Sequence, residues 1–332
     1  MTGDATRPGG ADQRGRYARR AAMRALIVTN MYPTADRPAL GSFVRDQVEA
    51  LRRIGGVDID VFSFVPGGIN AYVRAASELR SRRHRRDRYD VVHAHFGLTA
   101  WPALTACGNA HAVTLHGTDL AHPRSRPVTL AALPFVDLVA TVSEPLATWI
   151  PPWAVHGRRA VLPTGVDTAR FRPISRAEAR AKLGLDPQQP CLLFPADPSR
   201  PEKRYDRALA VAGDIRLLTL GEVASANVPL YVNAANAVLV PSEREGFGLA
   251  ALEALACDVP VLATPVGIHP TALEGVHGAY CAPFDEPNWR DALAPHLASD
   301  DPRIDGRTTA ERFSTDRMAA HVLATWRELL KR

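Results

Sequence analysis

The chain has 332 residues, 46% of them apolar, 23% charged and 7% aromatic, an ordinary globular composition with the length of two domains. No stretch approaches the ~20 uninterrupted apolar residues of a spanning helix, which excludes an integral helical membrane protein. The net charge of +5 is modest, and Cys107, Cys191, Cys257 and Cys281 are too scattered for a disulfide scaffold or a zinc finger, fitting a reducing cytoplasm.

Residues 1–22 carry five arginines against two aspartates, with four glycines and no apolar periodicity, and predict a disordered basic tail. No apolar run of a secretory signal follows, and Met23 stands directly before the first strand as an alternative start. From there, β-branched runs at Ala25–Thr29, Val57–Ser63, Asp90–Ala94, Ala112–Leu115, Leu138–Val142 and Ala160–Leu162 alternate with helical patterns, clearest at Phe43–Ile54 and Ala71–Arg83. Near-continuous apolar strands separated by helices predict a parallel sheet covered on both faces. The rhythm breaks around Thr164–Pro190, where prolines and glycines enclose a short helix, Arg176–Leu183. It resumes with Cys191–Phe194, Arg216–Leu220, Ala237–Val240, Val259–Ala263 and Gly278–Cys281, and an amphipathic helix near Asp316–Leu330 ends the pattern. Two doubly wound α/β domains follow, over 23–168 and 169–308, with a C-terminal helical segment at 309–332.

In open parallel sheets ligands bind beyond the carboxyl ends of the strands, so chemistry belongs in the post-strand loops. The most informative is Pro241-Ser-Glu-Arg-Glu-Gly-Phe-Gly-Leu-Ala-Ala-Leu-Glu253, which leaves a strand and opens a helix near Gly246. Two glycines admit a ligand close to the backbone, and the free N–H groups of a helix start suit a phosphate. Glu245 sits at the mouth of the turn, and Glu253 is expected two turns into the helix. Gly246-Phe-Gly248-Leu-Ala-Ala251 also satisfies a loose dinucleotide fingerprint, but five residues separate it from the strand and no acidic residue ends the next one.

Glu245-x7-Glu253 around Gly-Phe-Gly resembles the signature of the retaining, nucleotide-sugar-dependent glycosyltransferases of family 4, which have the GT-B fold. Four further segments resemble that family in its order: Tyr32-Pro33 with Gly41-Ser42-Phe43, Asp90-Val-Val-His93-Ala-His95, His116-Gly-Thr-Asp119, and Leu162-Pro-Thr-Gly165-Val-Asp167 with Phe171-Arg-Pro173. Within the family the opening resembles enzymes of cell-wall polysaccharide assembly such as teichuronic acid glycosyltransferases.

The resemblance implies that Glu253 holds the ribose hydroxyls, that Glu245 faces the transferred sugar, and that the backbone at Gly246, Phe247, Gly248 and Leu249 contacts sugar and phosphate. It implies Lys203 as the diphosphate clamp, His116 beside the sugar, and Gly41 bringing backbone to the diphosphate and acceptor. The clamp's usual arginine partner is displaced, and Arg200 is the nearest substitute. Relatives carry two strands between the helix after the clamp lysine and the strand leading to Glu245, where one is legible here over Asp214–Gly221, which leaves the base pocket short of one unit. No cofactor and no metal is implied; the alternative of His116, Asp119 and His122 as metal ligands stands beside this reading, as does a plain core role for His93.

The run Arg80–Arg88 holds six arginines, His84 and one aspartate. It reads as a solvated helix end or as a surface for an anionic membrane or lipid-phosphate acceptor, rather than for nucleic acid, since no aromatics interleave. The implied partners are a nucleotide-sugar donor and a glycan or lipid-linked acceptor, and the implied place is the cytoplasm or the inner face of the cell membrane. A nucleotide-sugar 2-epimerase on the same fold and an inactive sugar-nucleotide binder are the alternatives.

Overall fold

The computed structural model describes residues 23–331 except 35, 38–39, 83–87 and 222. The expected tail at 1–22 and the centre of the arginine run lie outside the described residues. The first sheet comprises β1 (Met23–Thr29), β2 (Val57–Ser63), β3 (Tyr89–His95), β4 (Gly108–Leu115), β5 (Leu138–Thr141) and β6 (Arg158–Val161), all parallel, in the order β2-β1-β3-β4-β5-β6. The second comprises β7 (Cys191–Phe194), β8 (Arg216–Thr219), β9 (Ala237–Val240), β10 (Val261–Ala263) and β11 (Tyr280–Cys281), parallel in the order β11-β10-β9-β7-β8.

Sequence and structure agree on type and order because the signal is burial itself. β5, β7 and β9 are buried along their whole length, as a strand with helices on both faces must be. β2, at an edge, alternates buried and exposed positions instead. One strand, β8, lies between the helix that follows Lys203 (Tyr205–Ala212) and β9, the strand leading to Glu245, and it forms the edge of the second sheet, in line with the single unit legible in the sequence.

Boundaries moved where local chemistry intervenes. β10 starts at Val261 rather than Val259, because Asp258 turns with φ 55° and Pro260 has no N–H to give to a ladder. The helix after β9 runs Leu249–Ala256, later than the expected start near Gly246, so Glu253 lies one turn into it rather than two.

The chain crosses between the domains twice, side by side. Val166 N–H donates to Phe313 O at 2.9 Å, and Thr315 N–H donates to Val166 O at 3.0 Å. After the second crossing the helix Thr315–Leu329 returns to the first domain, capped by the Ser314 hydroxyl accepting from Arg317 N–H. Its apolar stripe of Met318, Val322, Trp326 and Leu329 joins Val44, Val48 and Leu51 of the helix Ser42–Ile54 in one core. The last helix therefore belongs structurally to the first domain, which the segment 309–332 taken as a separate piece did not anticipate.

Candidate active site

The loops beyond the carboxyl ends of both sheets line one cleft of about 550 Å³. Every site residue named from the sequence lies on its wall: Gly41, His116, Arg200, Lys203, Glu245, Gly246, Phe247, Gly248, Leu249 and Glu253.

Lys203 ends a short turn after β7, and its Nζ lies 2.7 Å from Oε1 and 2.6 Å from Oε2 of Glu245. The Ser242 hydroxyl donates to the same carboxylate at 2.7 Å. Side-chain exposures of 17% for Lys203 and 9% for Glu245 make this a largely desolvated pair. Burial alone would raise the Glu245 carboxyl, but Lys203, with His269 and Ser242, outweighs it and holds the group below its ordinary value. Arg200, the expected second clamp residue, is half-exposed at the rim and tied to Glu202 at 2.6 Å.

The two glycines of the Gly246-Phe-Gly248 turn do something the sequence did not disclose. A Cβ at Gly246 would lie 1.9 Å from the carbonyl oxygen of His116, so glycine is needed there for close approach of the two domains. The Ser143 hydroxyl donates to Gly246 O at 2.8 Å across the same junction. Gly248 has φ 105° and turns the chain so that the helix Leu249–Ala256 begins on the cleft. The Phe247 side chain is buried in the core, leaving its backbone as the lining element.

Glu253 is partly buried, and burial pushes its carboxyl up to about 7, with Arg170 opposing and Asp46 reinforcing the shift. Arg170, which sequence reasoning missed, sits in the crossing segment and grips Asp46 at 2.6 and 3.3 Å. Asp46 also holds Arg45 at 2.8 Å, and Arg45 reaches Ser225 of the second domain at 3.4 Å. In a chain this rich in arginine neither position stands out by residue type; only the fold brings Arg170 and Asp46 to Glu253.

His116 follows β4 and is half-buried, with the Phe43 ring at 4.8 Å and its Nε2 3.1 Å from His95 Nδ1. Burial, and then the neighbouring His95 ring, hold it well below the ordinary histidine value, so the ring is neutral. His93 is fully buried and satisfied by Thr114 and Trp326, the core role weighed in the sequence. The side chain of Asp119 accepts from the backbone N–H groups of Gly97, His116 and Gly117, and His122 Nδ1 accepts from Arg124 N–H. Both are occupied in bracing loops, and no metal-binding cluster is found among the described residues.

Two family profiles match the chain: Glycosyltransferase Family 4 over residues 14–170 and Glycosyl transferases group 1 over residues 192–299. A D-inositol 3-phosphate glycosyltransferase of Segniliparus rotundus is 30% identical over 306 residues, covering 75% of this chain and 68% of that protein. Among solved structures, sucrose-phosphate synthase from Thermosynechococcus elongatus has a TM-score of 0.72 at 20% identity, covering 93% of this chain and 99% of its own. Anabaena HepE in complex with UDP and glucose has a TM-score of 0.66 at 15% identity, covering 91% and 99%.

Proposed function

The chain belongs to glycosyltransferase family 4 on the GT-B fold, and from that premise we propose that it transfers a sugar, with retention and without a metal, from a nucleotide diphosphate-sugar to a glycan or lipid-linked acceptor of the cell envelope. The carrying observation is the desolvated Lys203–Glu245 pair beside the start of the helix Leu249–Ala256, inside an interdomain cleft.

Lys203 exchanges Glu245 for the donor diphosphate. As the glycosidic C–O bond breaks, its electron pair passes to the leaving phosphate, and the new charge meets Lys203 and the free N–H groups of the helix start. Preorganised donors of this kind are worth about 3–4 kcal/mol each. Glu245 is already ion-paired with Lys203, which leaves it poorly suited to the nucleophile role of the two-carboxylate geometry of hydrolases. The acceptor hydroxyl then attacks from the face the phosphate leaves, and its proton goes to that phosphate. Glu253 receives the ribose hydroxyls.

The acceptor side of the wall carries Phe43, Leu146 and Trp149, and no Lys or Arg of the first domain lines the cleft among the described residues. That surface suits stacking on a neutral sugar ring better than it suits a phosphorylated polyol. The resemblance to teichuronic acid enzymes points the same way. On the outer face, Ile69 and Val73 are exposed on the helix Ile69–Ser81 beside Arg74, Arg80 and Arg82, and this supports contact with an anionic membrane surface. Neutralising Arg82, Arg83, Arg85 and Arg86 is expected to release the chain from anionic vesicles at low salt; undiminished sedimentation with vesicles would refute this contact.

A thermal-shift panel of UDP-, GDP-, ADP- and dTDP-sugars tests the donor assignment. A fitting donor at a hundred times its dissociation constant adds about 2.7 kcal/mol of stability. Incubating it without acceptor should give only slow hydrolysis, whereas an epimerised nucleotide sugar would establish the isomerase instead. A panel with no shift at all overturns the proposal.

A further inference from the structure

We infer that Gln47 and His95 are positioning residues that hold His116 as the neutral tautomer protonated on Nδ1, so that it offers the transferred sugar a hydrogen-bond donor and never a base. The inference rests on the reading of His116 as the sugar-facing residue.

Three imidazoles form a ladder from the core to the cleft. His93 and His95, two apart on β3, stack at 4.9 Å, and His95 stacks on His116 at 5.3 Å. The inner end has one possible proton arrangement. An indole N–H only donates, so Trp326 Nε1, at 3.0 Å, makes His93 Nδ1 an acceptor and leaves its proton on Nε2. That proton goes to the Thr114 hydroxyl at 2.7 Å, and His93 has nothing left to give to His95.

The outer end is set separately. The amide nitrogen of Gln47 lies 3.2 Å from His95 Nε2 and can only donate, so His95 accepts there and carries its proton on Nδ1. His95 Nδ1 lies 3.1 Å from His116 Nε2 and donates to it. His116 therefore accepts on Nε2, and a neutral ring must hold its proton on Nδ1. Neutrality follows from burial, which brings His95 down to about 4 and His116 well below its ordinary range. Nδ1 has no hydrogen-bond partner among the described residues, and His116 lines the cleft.

An N–H in this position recognises a lone pair on a sugar or glycosidic oxygen. It cannot remove the acceptor's proton, which is consistent with delivery of that proton to the leaving phosphate.

The test uses the full chain. In histidine-labelled protein, long-range proton–nitrogen spectra should show His116 protonated on Nδ1. Gln47→Glu supplies an acceptor only, so it should draw the His95 proton to Nε2 and reverse His116. Transfer from the UDP-, GDP- or ADP-glucose donor that stabilises the chain should then fall roughly tenfold or more, the size of one lost hydrogen bond. His95→Leu should lose as much, while His95→Asn, which keeps an N–H near the Nδ1 position, should stay within about threefold of wild type; this pair decides the matter where Gln47→Glu fails to fold. His116 protonated on Nε2 in the wild type overturns the inference, and so does full transfer by a Gln47→Glu protein whose tautomer has reversed. A wild-type chain that transfers from none of these donors fails the transferase reading instead, and the spectrum still decides the tautomer.

Discussion

Lys203→Ala is expected to lower turnover at least a hundredfold, because it removes the largely buried cation proposed to meet the donor phosphates, worth about 3–4 kcal/mol of transition-state stabilisation. The loss should not come alone. Lys203 is the partner of Glu245, a carboxylate only 9% exposed, and removing the cation leaves a nearly buried charge without its counterion. Burial then acts unopposed and the Glu245 carboxyl rises. The sign of the pH dependence follows. While Lys203 holds Glu245 below its ordinary value, the pair stabilises the fold above that value and the contribution disappears as the pH falls. Without Lys203 the carboxylate opposes folding once it ionises. The single variant should therefore melt earlier, most clearly at neutral pH, as well as turn over slowly. Combining Lys203→Met with Glu245→Gln removes both charges and should restore the melting temperature without restoring turnover. Melting curves and single-turnover rates separate these effects, and near-normal turnover in Lys203→Ala would dispose of the diphosphate clamp.

Glu253 carries the second large effect. Its carboxyl is pushed up to about 7 by burial, against the pull of Arg170. Ribose hydroxyls donate most strongly to the ionised form, so nucleotide affinity should weaken as the pH falls through about 7, and calorimetric titrations between about pH 6 and pH 8 should follow that trend. Glu253→Gln should abolish the pH dependence and lower affinity by roughly 10- to 150-fold, the span of about 1.5–3 kcal/mol for hydrogen bonds to a charged group. The ligand-free protein should show a linked effect. The folded carboxyl holds its proton more tightly than the unfolded one, whose ordinary value is 4.5, so Glu253 lowers stability progressively as the pH rises from that value to about 7. Unchanged affinity in Glu253→Ala would contradict the ribose role.

The two examples differ in how much of them was legible. Glu245, Glu253, Lys203 and the Gly-Phe-Gly turn are local in sequence and sit after strands whose apolar runs are unmistakable, so both their identity and their position at the sheet's carboxyl edge could be read directly. Arg170 and Asp46 could not, because their importance lies in meeting each other and Glu253 across 124 and 207 positions of chain. Gln47 and His95 share that property. His269 is a further case: its Nδ1 is 2.9 Å from Thr264 O, while its Nε2 is buried against Gly248, a contact that no spacing rule connects.

Hydrophobic alternation and loop chemistry, both short-range properties, were sufficient to establish from the amino-acid order the two parallel sheets and the sequence of strands along the chain, and to single out loops that the structure gathers on one cleft. Tertiary structure alone decided that the last helix packs on the first domain, that Gly246 lies against the His116 carbonyl, that Lys203 is paired with Glu245, and that His95 and Gln47 stand in line behind His116. Each of these depends on groups distant in the chain coming within a few ångströms in a desolvated space, where burial and direct hydrogen bonding set protonation and pairing, and neither quantity is a property of a residue taken with its neighbours in sequence.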